Sequence, residues 1–475
     1  MFYGRIYELN ILKEAIASAR AELGVVYGRR RVGKSALLRK AAPIQSRHSS
    51  NLYFEGLQGM PRATQIDHFL TQLSEQTGTP KSQAHNWSEA FDVLSFYIKS
   101  NRHYVVFDEF PWMACGRNEL VALMKFYWDN EWKHNPGLTF VLCGSIANFM
   151  FRHIVHSKAL HNRKTFEIKL QPLPAVEAKL FFKNRRAHFE LARFLMVFGG
   201  IPKYLEQIDP QRSLTANIDR LCFQKNGFFI NEFETIFKEQ FKVTKTYEKI
   251  IRLLAQTSCS REILAQKLNM TAGGGLSTYL NRLEQADFIK VFSPKTLLGR
   301  GDKTQKFVLW DEWLRFYFTY MEPNQEIIKL NTKTGMFGQI AGKRFDNYCG
   351  LAFERLCMKN LPRILERLEI ALHEVLGFGP FFRQPRRSAH RGEEEGLQID
   401  IMVHRKDQVL MLIECKFSTK PIGATLIREV EKKIELLKAP KHYTIEKVLL
   451  CSGTIRSDLK KSGYFDRILG LGAIF

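Results

Sequence analysis

Residues 22–41 read ELGVVYGRRRVGKSALLRKA, and this stretch decides the fold of the N-terminal part of the chain. The apolar run that ends at Tyr27 predicts a short buried strand, and good helix formers follow Lys34. Between them, Gly28 and Gly33 let the backbone curl so that successive N–H groups point at phosphate oxygens. A strand, a glycine-flanked turn and a helix in this order predict a phosphate-binding loop. The predicted nucleotide contacts in it are Gly28, Arg29, Arg30, Arg31, Val32, Gly33, Lys34, Ser35 and Ala36.

The end of this loop carries the residue types that ATP chemistry needs. We expect Lys34 to reach the β- and γ-phosphates and Ser35 to hold Mg²⁺. The dipole at the N-terminus of the following helix also favours the negative phosphate groups. ATP and Mg²⁺ are therefore the expected cofactors of this site.

Two acidic residues follow the next long apolar run. Residues 103–107 (HYVVF) predict a buried parallel strand, and Asp108 and Glu109 come directly after it. Asp108 suits a Mg²⁺ ligand, either direct or through water, and Glu109 suits the residue that polarises the attacking water. A metal-binding carboxylate beside a water-activating one predicts hydrolysis of the nucleotide as well as its binding.

A further strand is predicted over 138–143 (LTFVLC), and Ser145 follows at its carboxyl end. Ligands bind at this edge of open α/β sheets, so we place Ser145 beside the γ-phosphate. A helix is predicted over 146–157, and Arg163 lies just before another strand. Two interpretations of Arg163 stay open: it stabilises charge at the ATP of a neighbouring copy, or it packs on the surface of its own chain.

Six segments together resemble one family of proteins: FYGRIYEL, GRRRVGKS, VVFDEFPW, VLCGS, LHNRKT and FGGIPKYL, in this order along the chain. The series is similar to prokaryotic, archaeal-type P-loop ATPases related to the AAA+ and STAND groups, and the resemblance covers residues 1 to about 325. The resemblance implies that residues 2–8 and the segment around Pro202 frame the adenine, the latter on a helical lid. It also leaves a homo-oligomer open, because an arginine that acts in trans requires a second copy.

The middle of the chain predicts helices over 172–240, followed by a small unit with the layout of a winged helix. Amphipathic stretches at 246–256, 261–268 and 276–284 predict helices, and 288–292 with 306–309 predict a β-hairpin. The loop between these strands is basic, which suits contact with DNA phosphates. A rigid protein-contact module is the alternative. The basic residues of this wing are Lys295, Arg300, Lys303 and Lys306.

The C-terminal third predicts a second catalytic site. Residues 397–403 (LQIDIMV) and 409–416 (VLMLIECK) predict two strands joined by a turn, with Asp400, Glu414 and Lys416 near one end. Asp400 and Glu414 suit Mg²⁺ or Mn²⁺ ligands, and Lys416 suits a residue that orients or activates water. Glu354, on a predicted helix upstream, is expected to complete the site.

The segment over 345–455 resembles the PD-(D/E)XK nuclease superfamily in a tail of the DUF234 type, through the motifs QID and ECKFS. This resemblance implies metal-dependent cleavage of DNA. An ordinary hairpin with surface charges and a nuclease fold without activity are the alternatives. Arginines before Asp400 suit a grip on a phosphate backbone, although an acidic run follows them. They are Arg383, Arg386, Arg387 and Arg391.

Composition supports a polyanionic partner. The chain has 71 Lys and Arg against 48 Asp and Glu, a net charge of +23. This surplus favours nucleic acid or an anionic membrane surface as a partner, with a solvated basic surface as the alternative, and DNA is the expected partner. The absence of a long apolar run and of a signal pattern, and the scattered cysteines, predict a cytoplasmic protein without a membrane partner. A non-nucleolytic signalling switch, or an ATPase that acts on another protein, are rival functions.

These patterns predict a multidomain α/β protein with a P-loop NTPase parallel sheet, a helical lid, a winged helix and an α/β nuclease-like domain. The expected boundaries are 1–170, 171–240, 241–325 and 335–475, in that order.

Overall fold

The computed structural model describes residues 2–42, 51–99, 103–145, 149–183, 185–241, 244–271, 273–293, 305–383, 385–388 and 392–475. The described residues divide into two compact units. Unit 1 is built from Met1–Leu173, Ile201–Lys203 and Lys238–Lys242, and unit 2 from Pro174–Gly200, Tyr204–Phe237 and Val243–Phe475. The four-part division expected from the sequence stays a prediction about modules inside these units.

Unit 1 is built on a parallel sheet with the strand order β2-β3-β4-β1-β5. Every residue of β1 is buried, because neighbouring strands flank it on both sides and helices cover the sheet. The register pairs Gly28 with Ser145 on one side and with Leu170 on the other. The loop after Gly28 therefore begins at the carboxyl edge of the sheet, between two strand ends. The strands are Glu22–Gly28 (β1), Asn51–Glu55 (β2), His103–Asp108 (β3), Leu138–Ser145 (β4) and Phe166–Leu170 (β5).

Helices pack their apolar faces on this sheet. An aromatic cluster joins them to it: the rings of Phe54 and Phe69 lie 4.3 Å apart, and those of Phe107 and Phe140 lie 4.8 Å apart. Burying each such ring contributes about 1.5–3 kcal/mol. The α-helices within residues 1–173 are Ile6–Ala17 (α1), Lys34–Ala41 (α2), Arg62–Thr77 (α3), Trp87–Ile98 (α4), Phe110–Met113 (α5) and Glu119–Asn130 (α6).

The helix predicted over 146–157 is wrong in its extent. Residues 146–148 lie outside the described residues, and Met150–Val155 form a π-helical turn. In this turn the N–H of His156 donates to the carbonyl of Phe151, five residues back, at 2.9 Å. Residues 157–163 then form turns that lead into β5.

The first part of unit 2 is helical, as the sequence predicts for 172–240. The helix α8 ends at Gly199, which has φ of 66°. A Cβ atom there would lie 2.7 Å from Oε2 of Glu312, so both the conformation and the space favour glycine. The helices are Ala175–Ala178 (α7), His188–Phe198 (α8), Pro202–Leu205 (α9), Leu214–Cys222 (α10) and Glu232–Gln240 (α11). Residues 202–203 of α9 and 238–240 of α11 belong to unit 1.

The next segment of unit 2 contains the helices and the β-hairpin predicted over 246–309. A short strand, β6, joins the hairpin to give an antiparallel sheet with the order β6-β8-β7. The basic loop residues Lys295, Arg300 and Lys303 lie outside the described residues. The elements are Thr244–Gln256 (α12), Cys259–Ser260 (β6), Arg261–Leu268 (α13), Gly274–Gln285 (α14), Ile289–Phe292 (β7) and Lys306–Leu309 (β8).

The C-terminal part of unit 2 contains a mixed sheet with the strand order β15-β14-β13-β12-β9. The strands β9, β12 and β13 are antiparallel, whereas β14 and β15 continue the sheet in parallel. The strands are Val375–Arg383 (β9), Arg386–Ser388 (β10), Gly392–Glu394 (β11), Leu397–Arg405 (β12), Val409–Lys416 (β13), Thr444–Cys451 (β14) and Arg467–Gly470 (β15).

Further helices complete the unit, and among them α18 contacts β12 and β13 while α20 contacts β12. They are Glu312–Phe316 (α15), Gln325–Leu330 (α16), Met336–Ala341 (α17), Arg344–Lys359 (α18), Leu361–Arg367 (α19), Thr425–Leu437 (α20) and Ser457–Lys461 (α21). Among all the described residues, no helix is both long enough and apolar enough to cross a membrane.

Candidate functional sites

The backbone of the phosphate-binding loop is fixed by close contacts that only glycine allows. A Cβ atom on Gly28 would lie 2.3 Å from the carbonyl oxygen of Leu170 on β5. Arg31 has φ of 70° and Gly33 has φ of 92°, so the loop turns through the left-handed region twice before α2 begins at Lys34. Such alternation turns successive N–H groups toward one side, which is the arrangement that binds an anion.

Three of the predicted site residues are joined by side-chain hydrogen bonds. The buried ammonium group of Lys34 donates to the carbonyls of Gly28 and Arg29, each at 3.2 Å, and to Ser145 Oγ at 3.1 Å. Ser145 in turn donates to Oε1 of Glu109 at 3.3 Å. The loop, the end of β4 and the residue after β3 therefore meet at one point at the carboxyl edge of the sheet.

Glu109 lies in an environment that makes it more basic. Burial raises the pKa of its carboxyl group and the charge of Asp108 adds to this, while Lys34 opposes it. The residue also has φ of 48°, a left-handed conformation that costs energy for a residue with a side chain. A more basic carboxylate held at the end of a strand suits acceptance of a proton from water.

Asp108 is buried and bonded on both oxygens. Its Oδ1 accepts from the N–H of Glu109 at 2.9 Å, and its Oδ2 accepts from the hydroxyl of Tyr53. Tyr53 also shares a hydrogen bond with Ser35, and burial followed by the Asp108 charge raises the pKa of Tyr53, which stays protonated. One hydroxyl therefore links the two predicted Mg²⁺ ligands. An alcohol and a carboxylate this close are the hard oxygen donors that Mg²⁺ takes together with water, so the residues fit the metal.

Sequence reasoning missed Tyr53. The stretch 51–56 reads as an ordinary strand, and the one signal in it is a buried tyrosine, which needs a partner for its hydroxyl. Arg39 covers the ring, with its guanidinium carbon 3.8 Å from the ring centroid. The partner of the hydroxyl depends on the pairing of β2 with β3, which a single sequence does not reveal.

Two further segments of unit 1 hold the phosphate-binding loop. Arg5, which sequence reasoning did not single out, donates to the carbonyls of Val32 at 3.1 Å and Gln171 at 2.6 Å. On another side, Pro202 Cγ lies 3.8 Å from where a Cβ of Gly33 would be. The N-terminal segment and the glycine-proline segment that the resemblance assigns to the adenine thus both touch the loop.

Arg163 is bound within its own chain. Its Nε and one terminal nitrogen donate to the two carboxylate oxygens of Asp129, each at 2.6 Å, and its other terminal nitrogen donates to the carbonyl of Ala159 at 2.8 Å. This geometry corresponds to the second interpretation of Arg163, a packing role. An action on a neighbouring copy requires release of Asp129.

The second candidate site lies on the hairpin of β12 and β13. The register pairs Ile401 with Ile413, so Asp400 lies opposite Glu414. Asp400 also falls within a β-bulge. Ile399 and Met402 are three residues apart on β12, but their partners on β9 are only two residues apart. Bulges re-aim side chains and occur next to active sites. Both carboxylates are buried, and Asp400 Oδ2 accepts from the N–H of Cys415 at 2.9 Å.

Two lysines neutralise Glu414. Lys416 Nζ lies 3.1 Å from its Oε1, and Lys433 Nζ, from α20, lies 2.6 Å from its Oε2. Lys416 also lies 3.2 Å from Glu429. Burial alone would lower the pKa of Lys416, but the two carboxylates outweigh it and raise that pKa, so the ammonium stays charged. Sequence reasoning missed Lys433, because its helical position gives no signal without the packing of α20 on the sheet.

Glu354 and Asp400 repel one another. Burial, followed by the charge of Asp400, raises the pKa of Glu354 to about 7. Burial, followed by the charge of Glu414, raises the pKa of Asp400 to about 6. Three like charges from one helix and two strands therefore meet in a poorly solvated place, as the sequence predicts for Glu354, Asp400 and Glu414.

The donor set of this site suits a hard divalent cation. Among the described residues, no three His, Cys, Asp or Glu side chains are arranged to hold a metal ion by themselves. Mg²⁺, however, is usually bound by one or two carboxylates and keeps several waters. Mutual repulsion between Glu354 and Asp400 is what a cation would relieve, so the residues fit Mg²⁺ or Mn²⁺.

The arginines predicted to grip a phosphate backbone are placed differently from the expected loop. Arg383 ends β9 and donates to the carbonyl of Leu436 at 2.6 Å. Arg386 and Arg387 lie in β10, which pairs with β11 to form a small hairpin. The prediction that these arginines lie in a loop before Asp400 is therefore wrong. Arg391 lies outside the described residues.

The glycine-flanked loop after an inner strand of a parallel sheet of this order, with carboxylates at the end of β3, defines unit 1 as a P-loop ATPase fold of the AAA+-like type. Residues 2–208 match the family described as an ATPase domain predominantly from Archaea. Residues 317–433 match the DUF234 family, described as archaeal and bacterial proteins of unknown function. The chain thus carries an archaeal-type ATPase domain followed by a DUF234 domain, in agreement with the resemblance.

Similar proteins cover most of the chain at low identity. An uncharacterized protein of Methanocaldococcus jannaschii is 26% identical over 452 residues, which is 94% of this chain and 95% of that one. A solved Walker-type ATPase of Pyrococcus abyssi is 19% identical, covers 67% of this chain and 96% of its own, and has a TM-score of 0.49. The ORC2 protein of Aeropyrum pernix is 14% identical, covers 69% and 94%, and has a TM-score of 0.42.

Proposed function

We propose that this chain hydrolyses ATP in unit 1 and uses the nucleotide cycle to control Mg²⁺- or Mn²⁺-dependent cleavage of DNA in unit 2. The observation that carries the second half is the meeting of Asp400 and Glu414 on one hairpin, with Glu354 beside them and Lys416 at the edge. Buried like charges are unfavourable unless a partner compensates them, and they concentrate at functional sites.

The ATPase half rests on the hydrogen-bonded set of Lys34, Ser145 and Glu109. Lys34 holds the loop through its carbonyl contacts, and a bound γ-phosphate would take the ammonium group from those carbonyls. Glu109 would accept the proton of the attacking water, while Ser35 and Asp108 would hold Mg²⁺, which supplies the charge that offsets the phosphates. Lys34→Ala should therefore abolish ATP turnover.

The matched control for this variant is Lys40→Ala at the other end of α2, where the side chain is exposed. Turnover of ATP would be measured by release of inorganic phosphate for both variants and the wild type. Unchanged turnover in Lys34→Ala would overturn the ATPase proposal.

In the nuclease half, the lysines take part in the chemistry of the site. A metal at Asp400 and Glu414 would polarise a phosphodiester oxygen and lower the pKa of a bound water. Lys416, which stays charged, would stabilise the negative charge that develops on the phosphate, and Lys433 would yield its place on Glu414 to the cation.

The experiment is cleavage of plasmid and linear DNA with Mg²⁺ or Mn²⁺, with and without ATP. Asp400→Asn and Lys416→Ala should abolish cleavage and leave ATP turnover unchanged. Asp407→Asn, on the exposed turn of the same hairpin, is the matched control and should cleave like the wild type. If the nucleotide cycle controls cleavage, Lys34→Ala should also change the rate at which DNA is cleaved.

A second candidate function is a regulatory switch whose nuclease-like domain binds DNA or a protein without cutting. The observation in its favour is that both oxygens of Glu414 already meet lysines, which compensates this carboxylate without a metal. If the wild type never nicks DNA with either metal, while ATP turnover remains, this candidate replaces the nuclease.

DNA as the partner is supported by charge. The net charge of +23 favours a polyanion, and the helices and hairpin over 244–309 have the layout of a winged helix. A salt titration of DNA binding tests this, because each phosphate contact steepens the dependence of affinity on salt. A homo-oligomer, proposed through Arg163, is tested separately below.

A further inference from the structure

A cavity of about 130 Å³ in unit 2 connects the β7–β8 hairpin with the candidate nuclease site. Phe292 and Trp310 line it from the hairpin side, and Phe382 on β9 lines it from the other. Its walls also include Glu354 and Asp400, two of the three carboxylates described above. The cavity is therefore shared by a predicted DNA-binding element and a predicted catalytic one.

Aromatic surface dominates the hairpin side of this cavity. The rings of Phe292 and Trp310 lie 5.6 Å apart at an angle of 61°, so they form a corner. All three aromatic side chains are only half-buried, which leaves part of each ring open. Open aromatic faces in a recess bind flat unsaturated rings by stacking.

Lysines lie over two of these rings, and Lys359 Nζ is 5.1 Å from the centroid of the Trp310 ring. Lys306 Nζ lies 3.7 Å from the centroid of the Phe382 ring, and burial lowers the pKa of this lysine. A ligand that stacks on the ring displaces this ammonium group. The displaced group then lies close enough to contact a phosphate of the same ligand. The cavity thus offers stacking surface and positive charge side by side.

The volume limits what fits. A cavity of about 150 Å³ holds one benzene molecule, so the recess of 130 Å³ has room for one six-membered ring between its walls, and the rest of the ligand lies at its open side. A base inside a duplex is stacked on both faces, and it reaches such a pocket only after leaving the stack. The acceptable ligand is therefore an unstacked base, in a single strand or flipped out of a duplex.

We propose that this cavity binds one unstacked nucleobase and so makes single-stranded DNA, or DNA with a displaced base, the preferred ligand of unit 2. This rests on the proposed function, because the base pocket is useful to a nuclease when it brings the attached phosphodiester to Asp400. The hairpin and the nuclease-like domain then act as one binding site, in which the hairpin supplies the stacking corner.

The test uses the full chain in EDTA, so that no metal-dependent cleavage occurs. Oligonucleotides of thymidine with one internal 2-aminopurine are offered as a single strand and as a blunt duplex, and both anisotropy and 2-aminopurine emission are recorded. We expect the single strand to bind at least about fivefold more tightly than the duplex, with a change in emission, because stacking of one base contributes about 1–3 kcal/mol.

Phe382→Leu retains apolar bulk and removes the aromatic face. It should weaken single-strand binding about 5- to 100-fold, from the same range at 1.4 kcal/mol per tenfold, and leave duplex binding unchanged. Phe382→Trp should bind like the wild type, which separates stacking from folding. Phe378→Ala is the matched control, because Phe378 lies on the same strand, is exposed and does not line the cavity.

The outcomes separate the two proposals. Equal affinity for single strand and duplex, no binding of either, or wild-type binding by Phe382→Leu would overturn the base pocket, whether or not DNA is cleaved. Preference for the single strand that depends on Phe382, without cleavage under any metal, would retain the base pocket and overturn the nuclease. A peptide that competes fully with the oligonucleotide while no emission change accompanies binding would assign the cavity to a protein partner and overturn the proposal.

Discussion

Removal of the Tyr53 hydroxyl should tighten the binding of Mg²⁺ and nucleotide. In the structure this hydroxyl occupies one oxygen of Asp108 and also bonds Ser35, the two predicted Mg²⁺ ligands. A metal that binds Asp108 directly must displace it. Tyr53→Phe removes that competition. The substitution destabilises the free protein, in which the hydroxyl bonds Asp108, but not the metal-bound protein, in which this bond is already broken, so binding becomes tighter.

The magnitude follows from the kind of hydrogen bond. A hydrogen bond to a charged group contributes about 1.5–3 kcal/mol net, and water recovers part of this when the hydroxyl is absent. We expect Tyr53→Phe to lower the thermal unfolding temperature of the free protein and to tighten binding of Mg²⁺ with a non-hydrolysable ATP analogue about 5- to 10-fold, since 1.4 kcal/mol is tenfold.

The assay is isothermal titration calorimetry of the analogue in Mg²⁺ and in EDTA. The increase in affinity should appear only in the titration with Mg²⁺ and not in EDTA, because the nucleotide without metal does not need Asp108. Tyr104→Phe is the matched control: it lies on the neighbouring strand, and its hydroxyl donates only weakly, to the carbonyl of Leu38 at 3.4 Å. Weaker or unchanged binding by Tyr53→Phe in Mg²⁺ would refute the competition.

Three further predictions follow from the same contacts. The raised pKa values of Glu354, about 7, and Asp400, about 6, mean that the folded protein holds these protons more tightly than the unfolded chain; this stabilisation is present at low pH and is lost as pH rises through 6–7. The free energy of unfolding, obtained from melting curves in EDTA, should decrease between pH 5 and pH 8 by an amount on the order of 3 kcal/mol. Glu354→Gln should reduce this dependence on pH, whereas the exposed Glu366→Gln should leave it unchanged. Gly28→Ala should leave little folded protein in a solubility and circular dichroism assay, since its Cβ would meet the Leu170 carbonyl at 2.3 Å, whereas Gly350→Ala in open space should fold normally. Arg163→Ala and Asp129→Ala should each lower ATP turnover less than about tenfold; a loss of about 10³-fold or more in Arg163→Ala alone would establish action on a neighbour's nucleotide.

Local patterns in the sequence predicted the parts of the fold that depend on neighbouring residues. The apolar run before Gly28 and the run before Asp108 became β1 and β3, because a strand buried on both faces needs continuous apolar residues. The hairpin of Asp400 and Glu414 was predictable because period-two alternation and a polar turn both lie in the sequence.

Other contacts depend on strand order, register and the packing of helices, which a single sequence does not contain. Tyr53 reaches Asp108 only because β2 pairs with β3, and Lys433 reaches Glu414 only because α20 packs on the C-terminal sheet. The bulge at Asp400 is a mismatch in pairing with β9, and no residue in β12 signals it. Arg5 was hidden for the same reason, because its partner Val32 lies 27 residues away.

The position of β1 between β4 and β5 has a consequence for how the chain is made. Its partners β4 and β5 begin at Leu138 and Phe166, whereas β1 ends at Gly28. A ribosome that adds about 5–20 residues per second needs roughly 6–22 s to reach Leu138 after Gly28. Throughout that interval β1, which is buried along its whole length in the folded protein, has two open edges, so a growing chain depends on a chaperone or on transient cover by α1 and α2 to avoid pairing with another copy.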